Sequence, residues 1–449
     1  MNLVKDKGFY KTIISITIPI ACQNLIGFGV NLTDTVMVGS LGELQLSAVS
    51  LANQVFFVFM VLTFGVASGA SVLTAQYWGK NNTEAIRRVF AIAINFAVLF
   101  SLIFASAAFF FPQFLMGLLS EEAAVIQEGA RYLRVVAFSY FFFGVTNTYL
   151  STMRSVEEVK ISVVVFGTSF FVNALVNYAL IFGKLGFPAM GVVGAAIGTL
   201  CSRIVEFIIL NIYIAFFEKK IGFRFPDLLR IDKLLLRDYF SYGLPVLVNE
   251  LVWSSGMAVQ AAIIGRIGSE FVAANSIVGV VNQLVSIFMF GAANASAVVV
   301  GKAVGTGDKA YVRACGNTLI LISVGMGLVG GVAMFLLRGF AVNFYNVAED
   351  TKRLAETLMM IMSINSVFIA VNCISIVGTL RGAGDTRFGF IADVAFMWTI
   401  SIPLGILTGW FLRLPAWVVY LCLKMDEPLK AIICTLRVRG KKWIRDVTR

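Results

Sequence analysis

Not one histidine occurs among the 449 residues. No Ser-His-Asp triad, imidazole base or imidazole metal ligand can therefore be built from this chain. Charge is scarce as well: 14% of the residues are Asp, Glu, Lys or Arg, against about 25% in an ordinary soluble domain, which argues against a soluble fold. The six cysteines (Cys22, Cys201, Cys315, Cys373, Cys422 and Cys434) form no C-x-x-C pair, and each lies in an apolar run. They are expected to be small buried hydrophobes, not a disulfide framework or a metal site. No Walker motif is present, so nothing points to ATP. A net charge of +11 could suggest nucleic acid, but the cations lie between hydrophobic runs of spanning length instead of forming a stripe on a soluble module.

What the chain has in abundance is apolar sequence, 59% of its residues. Windows of about 19 residues place spans near 12–37, 46–77, 88–111, 125–152, 160–182, 191–217, 239–264, 271–302, 313–337, 353–380, 388–412 and 415–436. The first of these has no short apolar core followed by a small-residue cleavage site, so it is expected to remain as a membrane span. The expected fold is an all-α integral membrane protein of twelve helices. Lys and Arg in tails and connections divide 25 to 6 between the two sides, which puts both termini in the cytoplasm and supports an even number of spans.

The halves resemble each other at an offset of 226 residues. From Pro19/Pro245 to Arg87/Arg313 the match runs without gaps, 13 of 69 pairs being identical, among them Gly39/Gly265, Gly42/Gly268, Gly65/Gly291 and Gly79/Gly305. Six spans per half give both halves the same orientation, a parallel internal repeat of the kind found in transporters that rock two bundles around a central site. The expected organisation is an N-lobe over 1–217, a polar linker at 218–238, a C-lobe over 239–436 and a basic tail over 437–449.

A carboxylate at membrane depth costs about 2.5–3.5 kcal/mol, so it normally faces a cavity or a partner. Asp34 lies in the outer half of span 1, and Glu250 lies near the middle of span 7 beside Asn249 and one turn from Trp253. Neither has a cation at helical spacing, so both are candidates for function. Across the repeat, Asp34 matches Gln260 and Glu250 matches Asn24: each half carries an acid where the other carries an amide. Arg203 and Glu206 share a helix face and are expected to neutralise each other, and Asp393 is expected to be an interfacial cap or packing contact. Asn173 and Asn177 in span 5 and Thr199 in span 6 fall at the outer-half depth of Asp34. Their hard oxygens could coordinate a small alkali cation, or the amides could stabilise an Asp34 that carries a proton, or all could be interhelical hydrogen bonds. Pro19 and Pro245, inside their spans, are candidate hinges. The clusters Gly65–Ser71 and Gly291–Ser296 permit close helix approach.

At these residues the chain resembles the multidrug and toxic compound extrusion (MATE) family of bacterial efflux transporters. The resemblance rests on Pro19…Thr33-Asp34-Thr35-Val36-Met37-Val38-Gly39…Leu41-Gly42, on Gln76-x-x-Gly79, on Pro245…Glu250 and on Leu380-Arg381-Gly382-x-Gly384-Asp385-Thr386. It implies two six-helix lobes around a V-shaped cavity and export of cationic organic compounds driven by inward Na+ or H+. It also implies a cation site at Asp34, Asn173, Asn177 and Thr199, with one carboxylate where some relatives have a second at the position of Asn177. The NorM-type branch has acids in spans 7 and 10; Glu250 matches the first, whereas Ala370 stands where the second would be.

The expected function is thus a multidrug antiporter of the cell (inner) membrane, acting as a monomer without a cofactor or nucleic acid. Its coupling ion would be Na+ or H+ and its partners cationic small molecules and membrane lipids. Glu250, Trp253, Asn249, Gln260 and Asn24 would meet substrate or a proton. The alternatives are a flippase for a lipid-linked anionic oligosaccharide, which would need unpaired cations in the cavity, and a membrane protein that does not transport.

Overall fold

In a computed structural model of the chain, which describes residues 3–229, 232–345 and 347–448, every regular element is helical. The first half comprises α1 (Lys7–Gly39), α2 (Glu43–Gly79), α3 (Thr83–Phe110), the short α4 (Pro112–Gly117), α5 (Ala123–Ser155), α6 (Lys160–Phe182) and α7 (Val192–Phe216). The second comprises α8 (Lys233–Ile267), α9 (Ser269–Gly305), α10 (Lys309–Asn343), α11 (Glu349–Asn372), α12 (Thr386–Phe396), α13 (Ile402–Ile406), α14 (Ala416–Leu423) and α15 (Asp426–Arg439). π-Helical turns extend α11 over Cys373–Leu380, join α12 to α13 over Met397–Ser401 and follow α13 over Leu407–Phe411. Arg230 and Arg449, counted among the cytoplasmic cations, lie outside the described residues.

Ten of the described helical segments are long and apolar enough to cross a bilayer. The twelve spans are completed by α5, whose apolar face is diluted by Glu128, Arg131, Arg134 and Arg154, and by α14 with α15, where Lys424, Asp426, Glu427 and Lys430 interrupt the apolar run. The protein is a multi-pass membrane protein with twelve transmembrane helices in two six-helix lobes. Phe171, Phe216, Val329 and Ile364 each remain more than 70% exposed, an arrangement that water disfavours and lipid accepts.

The repeat is visible in how the helices begin and end. Asn82 caps α3 by accepting from the Ala85 N–H at 3.0 Å, and its repeat mate Asp308 caps α10 by accepting from Ala310 and Tyr311 at 2.9 and 3.0 Å. Gly42 and Gly268, equivalent again, make the turns into α2 and α9 with positive φ. Gly79 and Gly305 meet: a Cβ on Gly79 would lie 2.2 Å from the Lys302 carbonyl oxygen, and one on Gly305 would lie 2.1 Å from that of Gln76. The C-terminal ends of α2 and α9 therefore pack backbone against backbone, which only glycine allows.

Packing divides the chain into two compact units, with borders inside α1, α2 and α8 and one in the turn between α2 and α3. One, the C-terminal unit, contains the chain up to Ala21, Ala75–Asn81 and everything from Ser241; the other, the N-terminal unit, contains Cys22–Thr74 and Asn82–Phe240. Each has its own core. That of the N-terminal unit includes Phe59, Leu133, Tyr140 and Ala196, with the Phe59 and Tyr140 rings stacked at 5.1 Å. That of the C-terminal unit includes Ile263, Phe271, Leu358, Met359 and Val419. The described part of the polar 218–238 stretch packs on the N-terminal unit at Leu228 and Phe223: the Asn95 amide donates to the Leu228 carbonyl at 2.9 Å, and Phe90 meets Phe223 edge-on at 4.4 Å. Of the six cysteines, all free, Cys315 and Cys434 are buried as expected, whereas Cys22 is exposed on α1.

Candidate functional site

In the N-terminal unit, α1 and α6 bring together three of the four residues grouped by depth, and α7 carries the fourth, Thr199. Asn173 and Asn177 are one turn apart on α6, and both are buried. The Asn177 amide donates to Asp34 Oδ1 at 2.6 Å and to Asn173 Oδ1 at 3.2 Å. A hydrogen bond to a charged acceptor is worth about 1.5–3 kcal/mol, which offsets part of the cost of a carboxylate at this depth. Thr199 is placed beside the Tyr132 hydroxyl, itself within electrostatic reach of Asp34; Tyr132, buried on α5, is a neighbour that sequence reasoning missed.

Gly198 makes the arrangement possible. A Cβ there would lie 1.9 Å from Asn177 Oδ1, so α7 can approach α6 at this level only without a side chain. That carbonyl oxygen is buried and has no hydrogen-bond partner, an unused hard acceptor on the residue that grips Asp34. A carboxylate with an adjacent spare carbonyl suits either a proton or a small hard cation. Among the described residues, no group of three or more Cys, Asp or Glu is placed to hold a metal, so any ion bound here would rely on one carboxylate.

Arg203 and Glu206 pair as expected: Arg203 Nη1 lies 2.8 and 2.9 Å from the two Glu206 oxygens, and Ser169 Oγ donates to Oε1 at 2.5 Å. Arg203 also stacks over Phe143 at 4.9 Å and acts electrostatically on Asp34. Helical spacing gives Asp34 no cation, and the Arg203 guanidinium on α7 is committed to Glu206.

In the C-terminal unit, Glu250 is tied to Arg381, with Arg381 Nη2 at 2.9 Å from Glu250 Oε1. This partner is 131 residues away in sequence and cannot be read from helical spacing. Asn249 donates to Asp393 Oδ2 at 3.3 Å, and Asp393 accepts from Lys430 at 3.1 Å. Lys430 is buried and also pairs with Asp426 at 2.8 Å, an i,i+4 spacing that was legible in span 12. Glu427 accepts from the Asn372 amide at 2.7 Å. A small cleft is lined by Val246, Asn249, Ile376, Arg381, Thr386 and Phe390. Gln260 is buried, donating to Ser401 Oγ at 2.8 Å and accepting from Lys424 at 3.3 Å. Trp253 is partly exposed, near Trp398, whose indole donates to the Val252 carbonyl at 3.4 Å; Asn24 is half-buried on α1.

The proline neighbourhoods are also defined. The border between units in α1 falls between Ala21 and Cys22, just past Pro19, and that in α8 falls between Phe240 and Ser241, shortly before Pro245. A Cβ on Gly291 would lie 2.9 Å from the Thr17 carbonyl oxygen, so the small-residue cluster of α9 seats the first part of α1.

Comparison with known proteins agrees with this layout. The MatE family model matches residues 19–179 and again residues 245–407, two copies that start at the offset found in the sequence. A probable multidrug resistance protein NorM of Thermotoga maritima is 27% identical over 416 residues, covering 89% of this chain and 88% of its own. The probable multidrug resistance protein YoeA of Bacillus subtilis is 25% identical, covering 90% and 88%. Among solved structures, the Vibrio cholerae MATE transporter VcmN superposes with a TM-score of 0.87 at 14% identity, covering 96% of both chains. A MOP-superfamily transporter from Pyrococcus furiosus gives 0.86 at 19%, covering 96% and 95%.

Proposed function

Because the chain belongs to the MATE family of multidrug efflux transporters, we propose that it is a secondary antiporter that expels cationic or amphipathic organic compounds in exchange for inward Na+ or H+. It would act in the cell membrane with both termini in the cytoplasm, as a monomer. The observation that supports coupling most directly is the Asp34 carboxylate gripped by Asn177 at 2.6 Å beside a buried carbonyl oxygen without a partner.

The mechanism follows from competition for that carboxylate. An entering proton or Na+ neutralises the acceptor that the Asn177 amide holds. A hydrogen bond to a neutral acceptor is worth about 0.5–1.5 kcal/mol, against about 1.5–3 kcal/mol to a charged one, so loading the site loosens the link from α6 to α1. The loosened part of α1 then bends at Pro19, where one backbone hydrogen bond is already missing. Movement of α1 favours release of the organic cation and return of the lobes to the inward-open state, where the ion leaves. Each elementary charge moved inward contributes about 2.3 kcal/mol per 100 mV, so export proceeds without ATP. In the C-lobe, Glu250 exchanges its Arg381 partner for a cationic substrate or a proton, with Trp253, Asn249 and Gln260 contributing to the substrate path; Asn24 contributes from the N-lobe. Arg203, the cation that an anionic lipid-linked sugar would require, is held by Glu206 at 2.8 Å, which disfavours a flippase.

The test is efflux of a fluorescent organic cation from proteoliposomes under separately imposed Na+ and pH gradients. The parent protein should respond to at least one gradient, and a folded Asp34→Asn variant should lose that response by at least about tenfold, one acceptor charge being worth about 1.4 kcal/mol or more. Full ion-driven efflux by Asp34→Asn would overturn the assignment.

A further inference from the structure

Two of the segments that mark the family, Gln76-x-x-Gly79 and Gly382–Thr386, take no part in the mechanism above. In the structure they meet over the chain's own tail. Residues 440–448 leave α15 and lie across the loop after α11, with Gln76 at the centre. The Gln76 amide donates to the Gly382 carbonyl at 3.1 Å and the Arg445 carbonyl at 3.2 Å, and its oxygen accepts from the Val447 N–H at 2.9 Å. The Arg445 N–H donates to the Ala383 carbonyl at 3.0 Å.

Side chains add to these backbone bonds. Asp385, fully buried, pairs with Arg437 at 2.8 Å and Arg445 at 3.0 Å, and Lys80 reaches Asp446 at 3.0 Å. Trp443 is completely buried; its ring rests on Gly316 of α10, where a Cβ would come within 3.0 Å of it. Val447 sits on Gly384, where a Cβ would lie 2.4 Å away. A tail merely trailing into the cytoplasm would bury no tryptophan and need no glycine seat.

What the tail holds is the last turn of α2, the turn in which Ala75 packs on Gly301 and Gly79 packs on Gly305. Any state in which this turn parts from α9 and the Gly382–Asp385 loop must give up the Gln76 bonds. Free energy invested in one state shifts the balance toward it. We propose that residues 440–448 are a built-in strap that favours closure of the cytoplasmic ends of α2 and α9, and that release of this strap sets how readily that side opens. The proposal concerns the closure contact and stands apart from the choice of substrate and ion.

The experiment reads accessibility, not transport. In a background with the six native cysteines replaced, Ala75→Cys, buried against Gly301, is labelled with a membrane-impermeant maleimide from the cytoplasmic side. Three proteins are compared: the full chain, a chain ending at Arg439, and the full chain with Gln76→Leu, which keeps bulk but removes all three amide bonds. The shortened chain should label about tenfold faster, Gln76→Leu should fall between, and a synthetic peptide of residues 440–448 should slow the shortened chain again. Unchanged labelling on shortening, or acceleration that the peptide does not reverse, would overturn the proposal. If the shortened chain does not fold, Gln76→Leu decides alone: faster labelling supports the strap, and parental labelling makes the tail a static part of the fold.

Discussion

Gly198→Ala offers a test in which two effects oppose each other and the structure says which wins. Gly198 lies inside α7, where alanine is intrinsically better by about 1 kcal/mol. Its new Cβ, however, would lie 1.9 Å from Asn177 Oδ1, so the amide must move. That movement costs about 1–3 kcal/mol of overpacking and the 2.6 Å bond to Asp34, worth about 1.5–3 kcal/mol for a charged acceptor. A net loss of roughly 1.5–5 kcal/mol results once the propensity gain is subtracted. At about 2–4 °C per kcal/mol, the apparent melting temperature of the purified protein should fall by at least about 3 °C, with a parallel loss of ion-driven efflux. Gly167→Ala on α6 is the control, because a Cβ there meets nothing within 4 Å; it should be neutral or stabilising by up to about 1 kcal/mol. In an Asn177→Ala background the Gly198→Ala penalty should disappear, a coupling of about 2 kcal/mol or more. The reasoning is refuted if Gly198→Ala melts at or above the parent, or if it costs as much without the Asn177 side chain as with it.

Glu250→Ala removes the charged hydrogen bond that Arg381 makes at 2.9 Å and should destabilise by about 1.5–3 kcal/mol, seen as reduced folded yield and melting temperature. Pro19→Ala restores a backbone hydrogen bond inside α1 and should raise the melting temperature, while slowing ion-driven efflux at least about threefold if bending at this residue belongs to the cycle; unchanged efflux would remove the hinge from the mechanism.

The sequence made the spans, the repeat and the Asp34–Asn173–Asn177 group legible because each follows from a local rule: hydropathy over one span, identity at a constant offset, or residues sharing helix depth. Arg381 was legible only as a loop cation. Its pairing with Glu250 depends on how α8 meets the end of the π-helical stretch after α11, which no spacing within one helix encodes. Asp393 was expected to cap or pack, and in the structure it joins Asn249 to Lys430. Lys430 was passed over although its i,i+4 partner Asp426 stood in plain view. Gly198 was invisible for a different reason: a glycine in an apolar helix is common, and its importance resides in the neighbour it admits. The tail read as a basic end, because the bonds that seat Arg445 and Val447 come from Gln76, more than 360 positions away, and from a buried acid in a loop.

The contact between Gly79 and Gly305 joins equivalent positions of the two halves, so it has the self-matching character of an interface between identical subunits. In such an interface a single change in an undoubled half-length chain would enter twice, once from each side, and two new methyl groups would collide where one is already too many. Fusion of two copies into one chain halves that penalty for every later substitution. It lets Asp34 and Gln260, or Glu250 and Asn24, become different residues at the same station, while the place where the copies touch remains bound to glycine by geometry.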